Sequence, residues 1–548
     1  RKPDEKLTPE VAREICQRNG IKAMLGGTIA QLGSHFVLTL EAMNAATGEV
    51  IARQLAEADR KEHVLKTLGQ AATDLRGKLG ESLGSIQKFD KPLEQATTSS
   101  LDALKAYSQG MELKLSGKED ASLPFFHRAV ELDPKFARAW ADLATAAFND
   151  DSYEQAAQFS EKAYNLRDRV SENEDFYIAQ QHLYVVVGDL EKRMEVLELW
   201  RRTYPRDFLP PSLLSTSYTI AGQFDKSLEE TRASLALNPK NAVAFNNQAY
   251  HLVNLNRYDE AMTIIQQAIA QKIDGYSTHA ALHAIAFIRR DTVQAEQQVE
   301  WAKGKPFEPY LLAEHAATAG AAGQIRQSRE FTRRAIGMLE GKDNEVAGRW
   351  AFISALREAA YGNCQQAIKD ATKSIALVRN RWQLSAAAVA LAMCGEAARA
   401  QIIADEQAKR FPQDTAINTL FRPGVLAAIE ISRNNPRRAI ELLEQPRRYE
   451  LGTYGFLWPA YLRGLAYLQL RDGREAETEF RKLIDHQGFV ISNNVSPPYS
   501  LAQLGLARCY FAQGKYSTAI IIYEQIGNMP VDDMLVYIKC LIRENSIS

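Results

Sequence analysis

The 548-residue sequence predicts a mainly α-helical protein, in which helix–turn–helix units stack into a right-handed superhelical solenoid behind a small, incomplete α/β module. Two observations predict the solenoid. Paired amphipathic stretches joined by short turns recur, as in FFHRAVELDPKFARAWADLA, SLEETRASLALNPKNAVAFNNQA and YLRGLAYLQLRDGREAETEFRKL. Prolines return at a fixed interval: Pro205 and Pro239 lie 34 residues apart, and Pro134 lies 34 before Asp168. A third observation predicts the module, because before residue 90 apolar residues alternate as in strands. A chain this long does not close around one core, so several domains or one extended array is expected.

The module occupies residues 1–90. LTPEVAREICQRNG reads as a helix with Thr8 as cap and Pro9 in the first turn, and with Val11, Ile15 and Cys16 on one face. IKAMLGGTIAQLG, HFVLTLEAMNAATG and EVIARQLAEA follow as strands, with Gly33-Ser34 and Thr47-Gly48 as the turns between them. A second helix runs from about Lys61 to Leu83, giving the order α-β-β-β-α with the helices on one side of the sheet. LGGTIAQLG has no following Lys-Ser/Thr and is no phosphate loop; Gly26-Gly27 marks a bulge or a close backbone approach. The polar tract KPLEQATTSS (91–100) is the linker.

About twelve repeats fill residues 101–530, and 531–548 read as an atypical cap or tail. Small residues recur where two helices must approach, and large ones sit opposite to fill the space. The first unit has Gly110, Phe126 and Ala129; the next has Trp140, Leu143, Ala144, Ala156 and Ala163. Later come Tyr218 with Pro239, then Phe245, Ala249, Ala261 and Ala268, and near the end Gly464, Tyr467, Ala476, Phe480, Ala507, Tyr510, Ala519 and Tyr523. Between 276 and 450 the pattern thins to Ala295, Ala302, Gly323, Ala335, Ala367, Gly395 and Ala439. With their 34-residue period these positions resemble the tetratricopeptide repeat.

The tract AREICQRNGIKAMLGGTIAQLGSHFVLTLEAMNAATGEVIARQ and the junction KLGESLGSIQKFDKPLEQATTSSLDALKAYSQG carry a second resemblance. The module is similar to TolB-amino-terminal-like or FlgO-like domains, in which a strand and more helix come first. Together with the repeats it resembles the C-terminal region of membrane-anchored acidobacterial serine/threonine protein kinases. That resemblance implies a cytoplasmic kinase upstream, one membrane helix, and this region outside the cytoplasm as a non-catalytic sensor. The chain itself has no HRD-type catalytic loop, no DFG and no glycine loop with a VAIK-type lysine, so it is not expected to be an enzyme. Residue 1 is Arg, in keeping with a piece of a longer protein. Similar regions also follow nucleotide cyclases and winged-helix regulators, so a cytoplasmic adaptor is the rival reading; a repeat-bearing enzyme, such as a glycan-processing protein, is a third.

In tetratricopeptide repeats the first helix of each unit lines a concave groove, and the resemblance implies Asn246, Tyr250, Asn254, His283, Phe287, Tyr310, Phe352, Trp382, Trp458 and Tyr461 as its partner-binding residues. That surface is aromatic and amide-bearing, suited to a helix or an extended peptide segment, and lacks a recognisable Lys/Asn/Arg clamp for a carboxylate. His279 and His283 have the i, i+4 spacing of a metal pair but no third ligand, and read as packed, hydrogen-bonded histidines. No cofactor or metal is expected. Cys364 falls in a turn of one repeat and Cys394 ends the first helix of the next, so stacking brings them together as a candidate disulfide, the alternative being two small buried side chains. Lys plus Arg number 66 against 67 acidic residues, and neither nucleic acid nor an anionic membrane is indicated as a partner. Arg437, Arg438, Arg447 and Arg448 cluster, but Glu441, Glu444 and Glu450 dilute them. The longest apolar run, SAAAVALAMCG (385–395), is about half a membrane span.

Overall fold

The computed structural model describes residues 9–18, 21–84, 97–115, 119–149, 152–239 and 241–527. The cap expected at Thr8, most of the linker and the tail at 531–548 lie outside the described residues. The chain divides into two compact units: Arg1–Ala146 with Ala156–Gln181, and Ala147–Gln155 with His182–Ser548.

The first unit begins with α1 (Pro9–Arg18), β1 (Ala23–Leu32), β2 (His35–Asn44), β3 (Val50–Ala58) and α2 (Val64–Lys78). The strands pair antiparallel in the order β1-β2-β3. Gly26 and Gly27 pair regularly with Glu41 and Leu40, and the irregularity falls instead between Ala42 and Met43 against β3. The glycine pair is therefore no bulge; a Cβ on Gly27 would stand 3.2 Å from the Leu40 side chain. The helices do not share one side of the sheet. α1 packs against Met24 and Met43, whereas α2 packs against Phe36 and Leu38, residues of opposite parity in the strand register.

After residue 100 no strand occurs among the described residues, and the helices succeed one another two by two. In the first unit α3 (Leu101–Leu115) and α4 (Glu119–Leu132) are followed by α5 (Ala137–Asn149), α6 (Tyr153–Asn165) and α7 (Glu172–His182). A Cβ on Gly110 would stand 2.7 Å from the Phe126 ring, so the absent side chain sets how closely α3 and α4 cross. Asp142, buried in this unit, accepts from Tyr107 (2.8 Å), Lys114 (2.9 Å), Arg138 (3.0 Å) and Tyr177 (3.1 Å). Burial alone would raise its pKa, yet Lys114 and Arg138 hold it well below the usual carboxylate range.

The second unit continues with α8 (Leu190–Thr203), α9 (Leu209–Ile220), α10 (Phe224–Leu237), α11 (Ala242–Asn254), α12 (Tyr258–Ala270), α13 (Tyr276–Ile288), α14 (Thr292–Ala302), α15 (Glu308–Ala321) and α16 (Ile325–Leu339). Then come α17 (Asn344–Ala360), α18 (Cys364–Leu377), α19 (Arg381–Met393), α20 (Ala397–Arg410), α21 (Arg422–Ser432), α22 (Pro436–Leu442), α23 (Trp458–Gln469), α24 (Gly473–Asp485), α25 (Gln487–Ser492), α26 (Tyr499–Ala512) and α27 (Tyr516–Gly527). Ala261, Ala268, Ala335, Ala367, Ala439, Ala476 and Ala519 are all buried at helix crossings. Gly464 and Gly505 leave room for the Phe480 ring, which their added Cβ atoms would approach to 2.7 and 2.6 Å. Cys364 opens α18 and Cys394 follows α19, paired as a disulfide with Cα atoms 5.2 Å apart. No described helix is long and apolar enough to cross a membrane.

Two connections depart from the short repeat turn, one between α22 and α23 and one from α24 to α26, and both pack against earlier helices of this unit. Gly452 lies so close to the Ile220 carbonyl that a side chain there would collide, and Gly488 lies as close to the Val253 carbonyl. Asn256 donates to the Asp485 carbonyl at 2.7 Å and accepts from the Gly488 amide at 2.8 Å. The Thr415 amide donates to the Gly188 carbonyl at 3.0 Å, and Tyr449 donates to Glu191 at 2.7 Å. Repeats distant in sequence are thereby joined.

Candidate binding cavity

Among these helices and connections lies a cavity of about 470 Å³, lined wholly by residues of the second unit. Its wall is largely aromatic, with Phe148, Tyr184, Phe352, Trp382, Tyr454 and Trp458 among the contributors. Two π-helical turns shape it. Leu183–Val187 presents Tyr184, and Ile417–Phe421 presents Leu420 and Phe421. The 449–457 connection supplies Phe456 at φ 46°, followed by Leu457 at φ 62°, a left-handed pair that bulky residues adopt only when their surroundings fix them. Leu457 is fixed by complete burial and by its amide, which donates to the Glu450 carbonyl at 2.8 Å.

Of the ten groove residues expected from the repeat pattern, five line the cavity: Asn246, Tyr250, Phe352, Trp382 and Trp458. Asn246 accepts from Thr278 at 3.1 Å, Tyr250 donates to Asn493 at 2.8 Å, and Trp458 donates to the Val495 carbonyl at 2.7 Å. Burial pushes the Tyr250 hydroxyl up to about 12. The other five lie elsewhere. Asn254 is buried and accepts from Ser492 at 2.9 Å, so the chain's own connection holds it. His283 is buried with its Nε2 3.0 Å from His315 Nδ1. Tyr310 packs edge-on against Trp350, and Phe287 is half-buried outside the cavity. Tyr461 is buried between Trp458 and Phe480 and faces a second, smaller cavity of about 230 Å³.

The i, i+4 histidines do not converge. His279 pairs with Gln298 at 2.8 Å and stacks on Trp301, while His283 turns to His315. Burial, with a smaller contribution from the nearby His315, lowers the His283 pKa to about 3. Among the described residues no group of three or more His, Cys, Asp or Glu is placed to hold a metal ion. The basic cluster is engaged in ion pairs: Arg438 with Glu441 at 2.8 Å, Arg447 with Glu444 and Glu479, and Arg448 with Glu191 at 2.5 Å. Glu450 is buried rather than solvated, pairing with Arg463 at 2.5 Å and Lys482 at 2.9 Å.

Sequence reasoning passed over the group that sets the cavity's electrostatics. Glu314 and Arg349 are the charged side chains in its lining. Glu314 Oε1 accepts from the Tyr276 hydroxyl at 2.9 Å and from Asn494 at 3.0 Å, while no ion pair joins it to Arg349. Burial raises the Glu314 pKa to about 7, against the pull of these hydrogen bonds and of Arg349. Gln383 is buried, gives its amide to the Glu345 carbonyl at 2.6 Å, and keeps an Oε1 without a donor; Trp382 Nε1 is buried without an acceptor. The segment NNVSP (493–497) carried a signal, since Asn and Pro there interrupt the repeat period.

A tetratricopeptide-repeat family model matches residues 217–276 and 461–528. With the helix pairing described above, the chain is a tetratricopeptide-type solenoid with a small three-stranded antiparallel sheet near its beginning. Among solved structures it is similar to an APC/C hetero-tetramer of Cut9 and Hcn1, with 13% identity over 88% of this chain and 84% of that one and a TM-score of 0.42. It is also similar to a human IFIT1 dimer with PPP-AAAA, with 16% identity over 70% of this chain and 90% of that one and a TM-score of 0.36. No curated protein matches it.

Proposed function

We propose that the chain is a non-catalytic scaffold that holds a peptide or protein segment in the cavity of its second unit, as the sensor region of a membrane-anchored bacterial serine/threonine kinase. One observation carries the binding reading: an aromatic, amide-bearing cavity of about 470 Å³ opens among the helices of a tetratricopeptide-type array, a fold that generally binds protein or peptide partners. The chain's own connections form part of the cavity wall, through Thr453–Phe456 and Ser492–Val495, so the ligand enters as a side chain or chain end rather than as a long helix. The kinase attachment and the extracytoplasmic placement rest on the sequence resemblance, and the paired Cys364 and Cys394 support the placement, since oxidising compartments keep such bonds.

Selection of displayed random peptides on the full chain tests the binding reading. The expected outcome is enrichment of peptides that bind in calorimetry and weaken roughly tenfold or more with Phe352→Ala or Trp458→Ala. Phe287→Ala, outside the cavity, leaves them unaffected. Peptides indifferent to both cavity variants, or no saturable binder at all, would overturn it. Reading the coding sequence upstream tests the attachment: kinase motifs followed by about 20 apolar residues are expected, and their absence removes it.

A further inference from the structure

The cavity's polar groups are short of donors in one respect. Glu314 Oε2 accepts no hydrogen bond from the described residues, and Gln383 Oε1, on a side chain only 1% exposed, has no donor either. Gln383 Oε1 is buried and costly to leave unpaired, Glu314 is partly buried, and a ligand that brings N–H groups supplies donors to both. A carboxylate among aromatic rings discriminates further, because rings and carboxylate both attract a cation. Tyr276, whose hydroxyl donates to Glu314, lines the cavity, as do Phe352 and Trp458. A cavity of about 470 Å³ is large enough for an apolar body besides the charged group.

We propose that this cavity takes a ligand's ammonium group, seated at Glu314 and carried on an apolar or aromatic body. The inference rests on reading the cavity as the binding site, and it names the chemistry recognised there. The groups facing Glu314 are Tyr276, Asn494 and Arg349. The first two hold Oε1 and leave Oε2 without a hydrogen bond from the described residues; Arg349 favours the ionised carboxylate that an ammonium needs, while its own charge opposes a cation seated beside it. Burial keeps the Glu314 pKa near 7, so an arriving cation binds best once the carboxyl has lost its proton. Two sources offer the same chemistry, the amino terminus of a peptide with an apolar first residue and a free arylalkylamine.

Calorimetry on the full chain at pH values on both sides of neutrality separates the possibilities. The probes are phenethylamine, its neutral counterpart 2-phenylethanol, and the tripeptide Phe-Ala-Ala with a free or an acetylated amino terminus. The expected result is that the amine binds roughly tenfold or more tightly than the alcohol, and more tightly above pH 7 than below. Glu314→Gln, checked for an unchanged helical signal, removes that preference while the alcohol binds as before, and Glu314→Asp retains part of it. Tighter binding of the free tripeptide than of phenethylamine assigns the source to a peptide terminus; the reverse assigns it to a small amine. Equal binding of amine and alcohol, or a preference that survives Glu314→Gln, overturns the proposal. Selected peptides that bind through Phe352 and Trp458 regardless of acetylation leave the peptide-binding reading standing and sink this one alone.

Discussion

At the scale of single residues, burial decides which charged groups help the fold and at what pH. Glu314 has its pKa raised to about 7 from an ordinary 4.5, so the folded state holds its proton more tightly than the unfolded chain does. Its contribution to stability is therefore full below about pH 4.5 and is lost as pH rises through 7. Glu314→Gln is expected to melt like the parent at pH 4.5 and to be more stable at pH 8.5, by up to about 3 kcal/mol; equal melting at both values would contradict the burial described. His251 and His283, lowered to about 3 by burial, act in the opposite sense. Each is neutral in the folded state, so its contribution is present above about pH 6.5 and lost as pH falls below that. Arg463 is wholly buried, with Glu450 at 2.5 Å and Glu479 at 2.7 Å. Arg463→Met leaves both carboxylates without that partner and should cost about 3–5 kcal/mol, measurable by urea unfolding.

At the scale of elements, the helix pairs were legible and the connections were not. Ala261, Ala476, Gly464 and Phe480 announce a close crossing because only small residues admit the neighbouring helix, and the structure buries them there. Ala261→Trp and Ala476→Trp should each destabilise by roughly 1–3 kcal/mol or more, with unchanged denaturation curves as the contrary result. The 449–457 and 486–498 connections have no period to read. Repeat arithmetic gives the inward face of α11, on which Asn254 lies, but not that Ser492, 238 residues later, would occupy it. The same limit explains His283, whose partner His315 lies one repeat further on, and Glu314, whose environment is assembled from Tyr276, Asn494 and Arg349 on separate elements. Gly488→Val, which would drive a side chain into the Val253 carbonyl, should displace α25 and change near-ultraviolet circular dichroism while far-ultraviolet helicity persists.

At the scale of the molecule, the disulfide pins the part of the array where repeat signals are thinnest. Thiol mapping under denaturing, non-reducing conditions should find Cys364 and Cys394 bonded to each other and Cys16 and Cys509 free. Five free thiols in protein trapped with an alkylating reagent inside intact cells would argue for a reducing compartment and against the extracytoplasmic placement.

The contacts between distant repeats also set a timetable. Tyr250 must wait for Asn493, 243 residues later, and Leu190 for Thr415, 225 residues later. Helix pairs form locally within microseconds, yet at ordinary synthesis rates the cover of α11 emerges roughly 12–50 s after α11 itself. During that interval Tyr250 and Phe352 stand without the segments that enclose them, an aromatic surface open to chaperones or to misplaced chains. A ribosome-bound intermediate halted before residue 485 carries finished repeats but lacks the Ser492–Val495 part of the cavity wall, so full ligand binding reports completion of the chain rather than the folding of any one repeat.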